Sequence, residues 1–295
     1  MAIFDGIDLN VSNTDKIMFP RDGLTKGDVI AHYAAIAGYM LPHMKGRPVT
    51  MVRYPDGIDG ESFYQKEVSG RFPTWFHTIQ VEKKGGHVVH AVCQKTADLV
   101  YLANINCVTP HVWLSREGSL DRPDRMILDM DPADDDFGTV KDAARLARVM
   151  LRELGLEPFV MTTGSRGLHV TVPLDRTSGS EAVMALAKEV ATRMMEADER
   201  FTMERSKGSR GDRLLVDVFR NSYAQTGVAP YALRAKDGAP VATPLEWGEL
   251  DDARLGPQSF RWGNIRARLR ERGDPWANIE ESAGSALEAL TRSRR

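Results

Sequence analysis

Cysteine is nearly absent from this chain: Cys93 and Cys107 are the only two in 295 residues. That excludes a disulfide scaffold and a zinc knuckle, which need more thiols at closer spacing. Long apolar runs are missing as well. Nothing approaches the roughly 18 residues of a membrane-spanning helix. The opening "MAIFDGIDLN" carries neither the basic nor the apolar stretch of a secretory signal. No membrane partner and a cytoplasmic location are therefore expected. Net charge is the third scarcity: a formal −2 lacks the broad basic footprint of a non-specific DNA binder. Two local basic segments stand out, "ERSKGSRGDR" (204–213) and "RWGNIRARLRER" (261–272), and a solvated helix face is expected for the second. What remains is ordinary globular composition, 42% hydrophobic and 27% charged, with no repeat or low-complexity block.

Strand and helix signals alternate along the chain. "LTKGDVIAHYAAIAGYMLPHM" predicts a helix capped by Thr25, with Asp28 three residues on and Pro42 marking its end. "RPVTMVRYPDG" and "GHVVHAVCQ" predict strands, and "TADLVYLANIN" a short helix. "GTVKDAARLARVMLRELG" is amphipathic and stops at Gly155. "EPFVMTTGSRGLHVTVPL" predicts two strands joined by the Gly164–Gly167 turn, followed by a helix from about 181 to 196. "RLLVDVF" predicts a strand with Asp217 in its middle, and further helices are expected near 264–272 and after 280. The interleaving indicates an α/β (α+β) protein with mixed, partly antiparallel sheets flanked by helices.

The chemistry concentrates in aspartates placed where apolar residues belong. In "RMILDMDPADDDF", Met126, Ile127 and Leu128 read as buried strand, and Asp129 and Asp131, two apart, share one face. Two carboxylates held so close need a cation between them. With Asp217 as a third strand carboxylate, the all-oxygen trio suits two divalent ions, magnesium or manganese. The calcium loop fails, because Ala133, Asp134 and Val140 occupy its fifth, sixth and twelfth positions, where a ligand, the turn glycine and the closing glutamate belong. An aspartyl-phosphate motif fails at Ala133. A sugar-nucleotide transferase survives on the D-x-D alone. Asp134, Asp135 and Asp136 read as a solvated turn. In "TTGSRGLH", glycines around Ser165 and Arg166 let backbone N–H groups approach an anion, and His169 leaves the turn along a strand. Arg220 and Arg234 add cations suited to polyphosphate. Triphosphate donors beside a two-metal site point to nucleotidyl transfer.

Taken together, D-M-D-P, S-R-G-L-H and V-D-V-F-R-N-S…A-P-Y-A-L-R resemble the three motifs of the archaeo-eukaryotic primase superfamily. More narrowly they resemble the polymerase domain of bacterial DNA ligase D. "NTDKIMFPRDGLTKGDVIAHY", "GRPVTMVRYPDGIDGESFYQKE", "HVWLSR" and "PLEWGELDD" extend the similarity over nearly the whole chain. The resemblance implies one primase-polymerase catalytic domain over 1–295. Its parts would be a DNA-end and template-contacting region at 1–110, a catalytic core at 111–245 and a helical extension at 246–295. It implies that Asp129, Asp131 and Asp217 ligate two metals, that Ser165 and His169 contact an incoming nucleoside triphosphate, and that Arg166, Arg220 and Arg234 assist. His111 matches a histidine close to the active site, with a buried structural histidine as the alternative. Lys16 and Lys26 match lysines that hold a 5′-phosphate across a DNA gap. Phe63 and Tyr64 match aromatics that stack on the bent template, although "SFYQ" alone reads as strand core. Arg53 is a further DNA-contact candidate.

The implied activity is template-directed filling of short gaps or 3′ overhangs at broken DNA ends, with ribonucleotides preferred and a nucleoid-associated setting. Gln225 and Val52 depart from basic residues seen in relatives, which weakens one phosphate contact. The zinc module of replicative primases has no counterpart, and "KDG" at 236–238 is one residue short of a ligase's K-x-D-G. A separate DNA ligase and an end-binding protein are therefore expected as partners. The rival class to the enzyme is a non-catalytic DNA-end bridging module.

Overall fold

In the computed structural model, residues 2–68, 70 and 72–294 are described. The chain divides into two compact units. The first comprises Met1–Trp113, Val228–Ala242 and Phe260–Gly273, the second Leu114–Gly227, Thr243–Ser259 and Asp274–Arg295.

In the first unit, β1 (Ala2–Phe4) and β2 (Ile7–Leu9) form one small hairpin, β3 (Ile17–Phe19) and β4 (Leu24–Thr25) another. The second hairpin feeds α1 (Lys26–Met44) through the expected capping box: Asp28 N–H donates to Thr25 Oγ1 at 3.2 Å, and Thr25 N–H to Asp28 Oδ2 at 2.8 Å. Pro42 does not end this helix but lies in its last turn. The ring removes only one N–H, and burial of Met40, His43 and Met44 holds the turn. There follow β5 (Pro48–Arg53), β6 (Phe63–Gln65), β7 (Thr78–Lys83), β8 (Gly86–Val92), α2 (Thr96–Asn104) and β9 (Cys107–Trp113). Strands β9, β5, β8 and β7 lie side by side, all antiparallel, and β6 pairs with the far end of β5. The basic segment at 261–272 contains a helix, Ile265–Arg272, but it is not merely a solvated face. Ile265 and Leu269 are buried, and the guanidinium of buried Arg268 lies 4.5 Å from the Phe260 ring centroid.

In the second unit come β10 (Arg125–Asp131), α3 (Phe137–Glu153), β11 (Phe159–Thr162), β12 (Leu168–Pro173), α4 (Ser180–Ala197), β13 (Phe201–Thr202), the single turn α5 (Lys207–Arg210), β14 (Leu214–Asp217) and β16 (Thr243–Leu245), while β15 (Thr226–Val228) falls where the chain passes from one unit to the other. The sheet order is β13-β14-β10-β12-β11-β16, antiparallel except between β13 and β14. Helices α3 and α4 pack against β10. Asp136 belongs to more than a solvated turn: as N-cap of α3 it accepts from Gly138 N–H at 2.9 Å and Thr139 Oγ1 at 2.6 Å. The "PLEWGELDD" stretch docks on a basic stripe of α3. Lys141 donates to Asp252 O and Arg145 to Leu250 O, while Arg148 lies 4.7 Å from the Trp247 ring centroid. No helix among the described residues is long and apolar enough to cross a membrane.

Candidate active site

Strand register builds the site. On β10, Asp129 and Asp131 are two residues apart and so share a face. Asp217 is the last residue of β14, not its middle, and stands directly opposite Asp129 across the ladder. On the other side of β10, His169 is the cross-strand partner of Asp129. Like charges directly opposed in a sheet destabilise it unless compensated. Here the compensation is explicit: Arg220 Nε donates to Asp129 Oδ2 at 2.8 Å, and His169 Nε2 is 3.4 Å from Asp129 Oδ1. Arg166 Nη2 donates to Asp131 Oδ1 at 2.9 Å, and Arg210 Nη1 lies 3.7 Å from Asp131 Oδ2. Asp217 Oδ1 accepts from Phe219 N–H at 2.8 Å. Burial pushes the Asp129 carboxyl up, but the charges and hydrogen bonds of His169 and Arg220 outweigh it and hold the group below the ordinary carboxylate range.

The Gly164–Gly167 turn is equally well defined. Thr163 N–H and Oγ1 both donate to Gly167 O at 3.1 Å, Ser165 N–H is 3.3 Å from Thr163 Oγ1, and Gln258 Nε2 donates to Ser165 O at 2.9 Å. Gly164 adopts φ +66°, and an added Cβ on Gly167 would stand 1.8 Å from Met130 O. Only glycine lets this turn lie against the strand that carries Asp129 and Asp131. Ser165 and Arg166 remain partly accessible, whereas His169 is buried.

Sequence reasoning missed two residues. Arg210 reads as part of an exposed Gly/Ser-rich basic loop, yet it is only 4% exposed and reaches Asp131. Its partner lies 79 positions earlier, so no local pattern marks it. Asn221, 1% exposed, donates Nδ2 to Ile127 O and Val218 O at 2.7 Å and accepts Ile127 N–H on Oδ1 at 2.8 Å. Its amide continues the β10 ladder where β14 has ended. This fixes the 3-10 turn Phe219–Asn221 that carries Arg220.

The remaining candidates lie in the first unit. Lys26 N–H donates to Lys16 O at 2.7 Å, and the Lys16 ammonium contacts Pro55 O and Asp56. Burial first, and then the charge of Lys16, lowers the Lys26 pKa. Phe63 and Tyr64 are 44% and 68% exposed, so they are not strand core. Arg53 lies 5.3 Å from the Phe63 ring centroid and donates to Ile105 O and Gln65 Oε1, both at 2.7 Å. The His111 ring sits 6.2 Å from that of Tyr64, edge-on. Arg234 N–H donates to Pro240 O at 2.7 Å, and its charge acts on Tyr33 and Tyr54.

All-oxygen donors on two adjacent strands have the chemistry to hold hard divalent cations. Among the described residues, no three of His, Cys, Asp and Glu converge as a closed ligand set. Asp129 and Asp131 are turned toward arginines instead, and an incoming cation would take over from those guanidinium groups.

A sheet of this order, with acidic strands beside a glycine-flanked hairpin, defines a primase-polymerase catalytic domain. The chain belongs to the LigD primase-polymerase domain family, which matches residues 25–276. It is 32% identical over 287 residues to the multifunctional non-homologous end joining protein LigD of Mycolicibacterium smegmatis, covering 96% of this chain and 37% of that protein. It is 30% identical over 271 residues to the bifunctional non-homologous end joining protein LigD of Bacillus subtilis, covering 91% of this chain and 43% of that one. The chain thus spans less than half the length of these relatives. Among solved structures, the polymerase domain from Mycobacterium tuberculosis ligase D in complex with DNA superposes with a TM-score of 0.88 at 31% identity. That match covers 94% of this chain and 99% of that domain.

Proposed function

We propose that this chain is a template-directed nucleotidyltransferase that fills short gaps at DNA ends during double-strand break repair. The observation that carries the reading is the register of Asp129 opposite Asp217 on one side and His169 on the other, with Asp131 on the same face. Two divalent cations, manganese or magnesium, held by Asp129, Asp131 and Asp217, would supply activation of the primer 3′-hydroxyl and neutralisation of the departing pyrophosphate. The chain's own residues do the rest. Ser165, Arg166 and His169 hold the triphosphate, with backbone N–H groups of the turn aimed at its oxygens. Arg220 and Arg166, which balance the carboxylates here, become phosphate ligands once that charge is met otherwise, and His111 and Arg234 assist on the nucleotide. Lys16 and Lys26 grip the 5′-phosphate beyond the gap, and the exposed rings of Phe63 and Tyr64 stack on the template, with the Arg53 guanidinium against the Phe63 ring. Ribonucleotides are the preferred substrates, and a DNA ligase and an end-binding protein act on the same ends.

The test is primer extension across a short gap bearing a 5′-phosphate, with manganese and either ribo- or deoxynucleoside triphosphates. Templated addition by wild type, lost in Asp129→Ala and weakened when the 5′-phosphate is removed, is the expected result. Binding to DNA ends without any addition would favour an end-bridging module. Metal-dependent hydrolysis of a sugar nucleotide without a DNA template would favour a sugar transferase.

A further inference from the structure

We propose that Lys188, Arg205, Phe219 and Tyr223 form the seat of the primer strand, gripping phosphates just upstream of its 3′ end. This deepens the polymerase reading above and rests on it. Phe219 follows Asp217 by two residues, and its N–H donates to that carboxylate at 2.8 Å. Its half-buried ring carries two cations: the Arg205 guanidinium 5.3 Å and the Lys188 ammonium 5.9 Å from the centroid. Both side chains belong to exposed residues, and neither has a carboxylate partner among the described residues. Two unneutralised cations at one ring repel each other, and contact with a ring offsets that repulsion only weakly at an exposed site. Tyr223, 46% exposed, lies four positions further on. In a chain whose net charge is −2, such a patch is a local feature and not overflow from a basic surface.

Cations alternating with accessible rings suit a single polynucleotide strand, phosphates meeting the charges and sugars or bases the π faces. Sheet order decides which strand. The triphosphate turn joins β11 to β12, on one side of β10, while Phe219 and Arg205 follow β14 and β13 on the other. In-line displacement at phosphorus brings the nucleophile from the side opposite the leaving pyrophosphate. The strand presenting the 3′-hydroxyl therefore approaches over the β13–β14 edge.

The experiment compares the affinity of wild type and a Lys188→Ala/Arg205→Ala double variant for gapped DNA with its primer and for the same DNA lacking the primer, across a salt series. Primer extension is run in parallel. Both substitutions are at exposed positions, so folding is retained. The expected result is about a tenfold loss of affinity for the primed DNA, with a salt slope shallower by about one to two. Affinity for the unprimed DNA and the KM for the nucleoside triphosphate stay unchanged, and Arg205→Lys retains most of the primer affinity. Equal affinities of wild type and double variant for primed DNA would overturn the proposal, as would an equal loss on both DNAs. Absence of nucleotide addition by wild type would instead sink the polymerase reading. In that case a primer-specific affinity loss would still identify the strand-binding surface.

Discussion

Replacing Asn221 by leucine tests how the second unit holds its acidic strands. The substitution keeps the side chain's approximate size but deletes the amide that pairs with Ile127 N–H, Ile127 O and Val218 O. The site is 1% exposed, so water does not replace these partners without disrupting the packing. Each buried polar group left unpaired costs about 1–3 kcal/mol. Two of them, Ile127 N–H and Ile127 O, lose their partner, while Val218 O still accepts the Asn221 N–H at 3.1 Å. Offset partly by the added apolar contact, they give a loss of about 2 kcal/mol or more, set against a typical total of about 5–15 kcal/mol. At about 2–4 °C per kcal/mol for a chain of this size class, the melting temperature falls by about 4–8 °C. The effect on chemistry exceeds the effect on stability. The 3-10 turn that Asn221 fixes also carries Arg220, bonded to Asp129, and Phe219, whose N–H meets Asp217. Nucleotide addition measured well below the melting transition should therefore drop at least tenfold, with template binding in the first unit intact. Thermal unfolding followed by circular dichroism, with single-turnover extension on the same samples, reads both effects. A melting temperature within a degree or so of wild type would refute the claim that this amide extends the β10 ladder.

Other positions give sharper or milder outcomes. Gly167→Ala places a Cβ 1.8 Å from Met130 O, so the turn must move, and triphosphate affinity by fluorescence titration should fall well over tenfold. Tyr64→Ala removes a ring that is 68% exposed. It should weaken binding of the single-stranded template by about 1–3 kcal/mol in anisotropy assays while leaving the melting temperature in place. His32 on α1 is 1% exposed, and burial chiefly, with the Arg266 charge adding, lowers its pKa to about 3 from 6.5. The unfolded chain then binds the proton that the folded chain refuses. Stability is full above pH 6.5 and is lost as pH falls toward 3, by at most about 1.4 kcal/mol per unit from this group. Urea titrations at pH 7 and 5 should show that dependence flattened in His32→Gln.

Legibility followed the range of the interaction. The α1 cap, the Asp129/Asp131 pair and the 164–167 turn are written in residues a few positions apart, and period-2 and capping logic recovers them. Strand β9 escaped because Pro110 interrupts it; opposite Met51 in the ladder, it is held by pairing along β5 that propensity cannot anticipate. The exposed "SFYQ" strand looked like core because aromatics usually are, and only its place at the end of β5 shows otherwise. The alignment of Asp217 with Asp129, 88 positions apart, was expected only through the motif pattern. Asn221 lies within the V-D-V-F-R-N-S motif and Arg210 within the 204–213 basic segment, but nothing local marks their roles, since each acts through a partner distant in sequence.

The central claim is that Asp129 and Asp131 exchange their arginine partners for divalent cations, with Asp217 as the third ligand, when a nucleotide binds. Manganese titration followed by electron paramagnetic resonance, with a non-hydrolysable nucleoside triphosphate present, measures that directly. Two ions per chain in wild type, with affinity weakened at least tenfold in Asp217→Asn, is the result the account predicts. Unaltered manganese binding in the variant, or none by folded wild type, would contradict it.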